Sequence, residues 1–184
     1  NAMASEFSTI VSDLADVLPD AQYGFSTFDD YAYGSYGSAS SLDKPFYLQQ
    51  RITDDIRDVQ SALSATAIHG GSDGPESGHE AIYQAASGAG YDQDCDQTYD
   101  ASTDVAPFIG NPGDPFEGTG GQNYDATDSS TGQGGGMGFR DYALPVIVYA
   151  GDNYLRDPES STATYNGSPN GRPTDAGATP AIAA

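Results

Sequence analysis

The chain has no tryptophan, one cysteine, two methionines and only six lysine or arginine residues among 184. Each scarcity excludes something. A lone cysteine, Cys95, has no partner within the chain, so no internal disulfide framework holds the fold. The six basic residues stand against 27 acidic ones, for a formal charge of −21. A chain so negative repels nucleic-acid phosphates and anionic lipid headgroups, which excludes nucleic-acid binding. No run approaches the roughly 20 apolar residues needed to cross a bilayer, so membrane insertion is not expected either. No secretory leader is visible. The charge fits three circumstances: simple solubility, a salty habitat, or secretion into a medium rich in divalent cations. The near absence of lysine, Lys44 alone, suits the last two.

What is present reads as one ordinary domain with a core of its own. Residues 2–18 carry a helical period, with Met3, Phe7, Ile10, Val11, Leu14 and Leu18 on one face. Pro19 ends that helix. Residues 21–28 alternate and are rich in aromatics, which predicts a strand, and 46–51 predict a second. Thr53 reads as an N-cap, with Asp54 and Asp55 favouring the positive end of a helix over 54–65. A further helix is predicted over 76–87, with Pro75 or Glu76 in its first turn. Residues 88–142 are poor in aliphatics and rich in Gly, Asp, Ser and Thr, so they read as a long polar insertion, a binding loop or a partly disordered stretch. The run Leu144-Pro-Val-Ile-Val-Tyr-Ala150 has the β-branched composition of a strand buried on both faces of a parallel sheet. Thr179-Pro180 reads as the start of another helix. Both chain ends read as cuts through elements rather than as natural termini.

The order helix, strand, strand, helix, helix, strand, helix predicts an α/β fold with a mostly parallel central sheet flanked by helices. In such folds ligands bind beyond the carboxyl ends of the strands. The loops around 70–76 and 151–157 are placed to meet there.

Three segments resemble the von Willebrand factor A-type (vWA) family. The first is Gly70-Gly-Ser-Asp-Gly-Pro-Glu-Ser-Gly-His-Glu-Ala-Ile-Tyr-Gln84. It is similar to the Asp-x-Pro-Glu stretch of integrin β-subunit domains and of bacterial surface vWA proteins. The second is Phe139-Arg-Asp-Tyr-Ala-Leu-Pro-Val-Ile-Val-Tyr-Ala-Gly-Asp152, similar to the family's strand that ends in an Asp-bearing loop. The third is the first helix followed by Ala21-Gln-Tyr-Gly-Phe-Ser-Thr-Phe28. The resemblance implies a Rossmann-like vWA fold, a partial domain over 1–184 with the insertion at 88–142. It implies a prokaryotic surface or secreted protein, extracellular in location. Its function would be to bind a protein or other macromolecule through Mg²⁺ or Ca²⁺, with one coordination position left for a partner carboxylate. No enzyme activity is implied.

By the same resemblance, Glu76 matches the second-loop metal ligand and Asp152 the third-loop aspartate of a metal-ion-dependent adhesion site. Asp73 and the carbonyl of Pro75 match a neighbouring Ca²⁺ site, with Gly71 where the family often has Asn. The family's Asp-x-Ser-x-Ser motif would lie just before Asn1, and this sequence does not contain it. Ala150-Gly151-Asp152 also departs from the usual Thr-Asp, which loses a supporting hydroxyl.

Other constellations are weaker. Asp92, Asp94 and Asp96 have the spacing of a calcium loop, but an EF-hand needs Gly at position six and Glu at twelve, where Gln97 and Thr103 stand. That stretch reads as a charged, solvated loop, and Cys95 between the aspartates as a poor nucleophile. His69 and His79 lack zinc-site spacing. A structural or filament-forming surface protein with the same fold and no working metal site is the alternative function. A hydrolase using Glu76 and Asp152 is a third, and nothing in the sequence supplies a nucleophile with an adjacent base.

Overall fold

A computed structural model describes residues 2–67, 69, 72, 74–94, 96–108, 116 and 134–156. Asp73, Cys95 and the helix expected after Thr179 lie outside the described residues.

The chain opens with α1, Ala2–Val17, followed by β1, Tyr23–Thr27. A short 3-10 turn at Ala39–Ser41 precedes β2, Tyr47–Thr53, after which α2, Ile56–Ala65, and α3, Gly78–Ser87, complete the regular elements. The described residues are thus mixed α and β: three helices around a two-stranded sheet. β1 and β2 pair antiparallel, with Tyr23 opposite Thr53 and Thr27 opposite Tyr47. The register shifts around Phe25, so the ribbon is kinked there.

The core forms where the two strands meet α3 and the first residues after it. Phe46 and Leu48 from the β2 side, Tyr31 beyond β1, Ala81 and Ala85 of α3, and Tyr91, Val105 and Met137 bury together. Alanines at 81 and 85 lie one turn apart, so α3 approaches the aromatic rings closely. Val59 and Leu63, also one turn apart, are the buried face of α2. α1 packs on α2, where Gln60 Nε2 donates to Ser12 Oγ at 3.0 Å.

Helix starts differ from expectation for local reasons. α2 is capped by Asp55, whose carboxylate accepts from the Arg57 amide, while Thr53 Oγ1 accepts from the Asp55 amide one step earlier. The stretch therefore makes two consecutive side-chain turns before the helix, and the acid takes the cap. α3 begins at Gly78, two residues after Glu76. Ser77, at its cap position, turns its hydroxyl away to donate to the carbonyls of Asp29 and Pro45. Glu76 itself is extended and bridges in parallel to Leu155, with its amide on Tyr154 O and its carbonyl accepting from the Arg156 amide.

A mostly parallel central sheet is not seen among the described residues. Among the described residues the parallel pairings are the isolated bridges Glu76–Leu155 and Ala106–Gly134. Residues 144–150 form no strand and make no backbone hydrogen bond. They are nonetheless positioned beside β1. Arg140 Nη2 donates to the Asp20 carbonyl just before β1, and the Tyr149 ring stacks on Phe28 just after it, centroids 5.3 Å apart. Residues 140–149 thus advance in the same direction as 20–28.

The stretch expected to be a polar insertion packs at both of its edges. Tyr91 and Val105 exchange both backbone hydrogen bonds, and Gly135 and Gly136 donate to Ala106 and to Gln84 of α3. Phe116 is buried against the edge of Tyr99. Gly90, at φ +80°, faces Pro107 so closely that a β-carbon would fall 2.9 Å from the proline amide nitrogen.

Because Leu48 is fully enclosed by this core, Leu48→Ala is expected to cost about 2–5 kcal/mol. Urea unfolding followed by circular dichroism measures it, and a loss within error of zero would remove Leu48 from the core.

Candidate cation-binding site

Four acidic side chains gather at the carboxyl end of β1, supplied by three segments. Asp29 and Asp30 come two and three residues after the strand, Glu76 precedes α3, and Asp152 comes from the bend after residues 144–150. Asp30 is fully buried and paired with Arg156 through both guanidinium branches, its Oδ1 at 3.0 Å from Nε. The guanidinium also donates to Pro75 O at 3.0 Å and lies 3.6 Å above the Tyr36 ring. The Pro75 carbonyl thus already has a cationic donor. Asp29 Oδ2 is 2.8 Å from His69 Nδ1, whose ring meets the edge of Tyr47.

One arginine is too little charge for four carboxyls. Half burial pushes the Glu76 carboxyl up to about 7, and Asp30, Asp29 and Asp152 push it in the same direction, against the pull of Arg156. Asp29 is also raised, first by burial and further by Asp43, with His69 opposing. Asp43 is fully buried; its Oδ2 accepts from the Ser38 amide at 2.7 Å and its Oδ1 has no partner. Asp152 is exposed and open to solvent. The structure therefore brings Glu76 and Asp152 into one electrostatic cluster. Glu76 lies outside α3, so its carboxylate does not act as a first-turn stabiliser of that helix. Asp29, Asp30 and Arg156 were not singled out in the sequence; the Asp-Asp pair directly after an aromatic strand was the available signal.

A second acidic group lies in the loop 91–105, closed at its base by the Tyr91–Val105 pair. Asp92, Asp94 and Asp96 each place a carboxylate oxygen within 4.8 Å of the others, a geometry that could hold a metal ion. The loop is less solvated than its composition implies. Asp92 is buried and its Oδ2 accepts from the Gln97 amide at 2.9 Å. Gln97 sits at φ +66°, in the left-handed conformation that Gly usually supplies at that point of a calcium loop. At the far end, Asp104 accepts from the Gln93 and Asp100 amides, yet burial lifts it to about 6. Lys44, buried nearby with its Nζ on Ala101 O, is brought down to about 8 by the same loss of water.

The two groups differ in surroundings. The Glu76 cluster is shared among segments distant in sequence, next to the free end of a strand. The Asp92 cluster is local to one loop. The carboxylate oxygens that both clusters offer are suited to a hard divalent cation.

Two outcomes follow. The native Glu76 carboxyl holds its proton at pH values where the unfolded chain has released it. Stability on this account falls as pH rises from the ordinary 4.5 to about 7. Glu76→Gln is expected to raise the melting temperature at pH 8 and to leave it unchanged at pH 4, with about 1 kcal/mol at stake after solvent screening of a half-exposed group. Equal effects at both pH values would contradict the upward shift of the Glu76 carboxyl. Gln97→Gly relieves the left-handed strain and is expected to stabilise the loop by about 0.5–1 kcal/mol; a lower melting temperature would show that the Gln97 side chain contributes more than its backbone costs.

Comparison with known proteins adds no relative: no family model matches the chain, and no curated protein matches it significantly.

Proposed function

We propose that the chain is a vWA-type binding module, extracellular or on a cell surface, that engages a protein or other macromolecule through a hard divalent cation, Mg²⁺ or Ca²⁺, held at Glu76 and Asp152. The observation that carries the reading is the convergence of Asp29, Asp30, Glu76 and Asp152 at the end of β1 with a single arginine among them. A cation there would offset both the burial that lifts Glu76 and the repulsion from Asp30, Asp29 and Asp152 that adds to it. Its oxygen preference matches the donors present, and an exposed Asp152 leaves one side open to a partner carboxylate. The sequence holds no Asp-x-Ser-x-Ser donors, so Glu76 and Asp152 would be two ligands of a larger set.

The finer architecture belongs to the same proposal. Residues 144–150 and β1 would be members of one mostly parallel sheet, with the cluster beyond its carboxyl edge, where ligands of such sheets bind. Their common direction, fixed by Arg140 at Asp20 and Tyr149 at Phe28, supports this. Their lack of hydrogen bonds to one another means that the sheet is not continuous between them. No helix among the described residues is long and apolar enough to cross a membrane.

Calorimetric titration of the chain with CaCl₂ and with MgCl₂ tests the reading. Glu76→Gln and Asp152→Asn are expected to weaken binding about 10–100-fold, while Asp94→Asn with Asp96→Asn removes only a separable second event. If the Asp94/Asp96 variant abolishes all uptake and the Glu76 variant none, the cation belongs to the loop and the proposal fails. Indifference of stability to EDTA after cation loading would favour the structural, metal-free surface protein instead.

A further inference from the structure

The ring of Tyr149 touches all three segments that carry the acids at the end of β1. Its face stacks on Phe28, the residue before Asp29, with centroids 5.3 Å apart and planes inclined by 24°. Its two edges meet glycines. A β-carbon on Gly78, two residues after Glu76, would fall 2.9 Å from Cε2 and 2.9 Å from Oη. One on Gly151, the residue before Asp152, would fall 2.5 Å from Oη and 3.4 Å from Cε1. Cε1 and Cε2 are opposite edges of the ring, so the ring stands between the two backbones. Distances that short leave no slack: the backbones at Gly78 and Gly151 cannot close on each other while the ring is there. Burial raises the phenol above the usual tyrosine range, and Glu76 and Asp152 both add to it, as carboxylates near the ring would.

The acids around this ring are correspondingly spread. Among the described residues, Asp92, Asp94 and Asp96 are the group whose ligand oxygens all lie within 4.8 Å of one another, and no three of Asp29, Asp30, Glu76 and Asp152 come so close. The loop 91–105 gathers its carboxylates by local turns, whereas the cluster at β1 has an aromatic ring set among its supports. Spacing of this kind bears on the size of ion that fits. Mg²⁺ demands near-ideal octahedral geometry at about 2.0–2.1 Å, while Ca²⁺ accepts more oxygens, at about 2.3–2.6 Å and in flexible arrangements.

We propose that Tyr149 is the specificity-determining spacer of the cation site, holding the Glu76 and Asp152 segments apart so that Ca²⁺, the larger ion, is taken in preference to Mg²⁺. The inference rests on the cation reading above and narrows it to one ion. The ring does this by bulk, through its contacts with Gly78, Gly151 and Phe28, and not by binding the ion itself.

The test uses the whole chain carrying Asp94→Asn and Asp96→Asn, so that the acidic loop stays silent. The probes are CaCl₂, MgCl₂, LaCl₃ and LuCl₃ in calorimetric titrations. La³⁺ and Lu³⁺ share one charge and one preference for oxygen, and La³⁺ is the larger, so the ratio of their affinities reads size. With Tyr149 in place, La³⁺ is expected to bind at least about fivefold tighter than Lu³⁺, and Ca²⁺ at least about tenfold tighter than Mg²⁺. Tyr149→Ala, checked for folding by circular dichroism, is expected to bring the La³⁺ to Lu³⁺ ratio within about twofold of unity, and Tyr149→Phe, which keeps the ring, to retain most of the preference. A ring that served stability alone would weaken all four ions alike and leave the ratios untouched. Indifference to radius with Tyr149 in place overturns the spacer without any variant, and an unchanged ratio in a folded Tyr149→Ala chain overturns it too. Uptake that fails altogether, or that ignores Glu76→Gln, overturns the cation reading and the spacer with it. Uptake that needs Glu76 and ignores radius removes the spacer alone.

Discussion

The buried pair between Arg156 and Asp30 organises the region where all the segments meet. Each group is almost wholly removed from water, and an ion in that position needs a full set of partners to persist. The guanidinium finds them in the Asp30 carboxylate, the Pro75 carbonyl and the face of Tyr36. Those contacts tie the approach to α3, the loop after β1 and the residues before Arg156 into one junction. The Glu76–Leu155 bridge runs alongside, so the position of Glu76 is set twice, through its own backbone and through Arg156. Because Asp30 takes both branches of the guanidinium, Arg156 only partly offsets the charge around Glu76, and Asp29 turns to His69 instead. The junction that holds the site together is the reason the site is short of positive charge.

That arrangement explains why the molecule has two acidic clusters of unlike character. In the loop 91–105, most carboxylates are consumed by nearby amides: Asp92 by Gln97, Asp96 by Thr98, Asp100 by Ser102, Asp104 by Gln93 and Asp100. The loop shapes itself with its acids. At the end of β1, the acids arrive from separate segments, and Glu76 and Asp152 contribute little to local turns. Charge that is not needed for folding is available for binding, which is why the proposed function is placed there.

Much of the local structure was legible in the sequence, because it is dictated by neighbours along the chain. The apolar period of residues 2–18 gives α1, the aromatic alternation gives β1, and Val59 and Leu63 mark the face of α2. What was not legible depends on distant partners. The β-branched run at 144–150 reads as a buried strand, but a strand exists only with a paired neighbour, and none among the described residues pairs with it. The start of α3 was read too early because Glu76 is held extended by Leu155, far along the chain. The packing of Tyr91, Val105 and Met137 against α3 was hidden for the same reason, in a stretch whose composition signals only polar loop. Of the site, Glu76 and Asp152 were reached through resemblance. Asp29, Asp30 and Arg156 were missed because no spacing rule connects an arginine to an aspartate 126 positions away.

The burial of Lys44 has a bearing on how this chain meets reactive chemistry. It is the only lysine, it lies beneath the 100–104 turn, and Pro45 follows it. Amine-seeking reagents, and enzymes that modify or cut at lysine, find no side-chain amine on the folded surface. Exposing that amine requires the 100–104 turn to lift away from it. Acylation of this one residue therefore reports the loss of the packing around it.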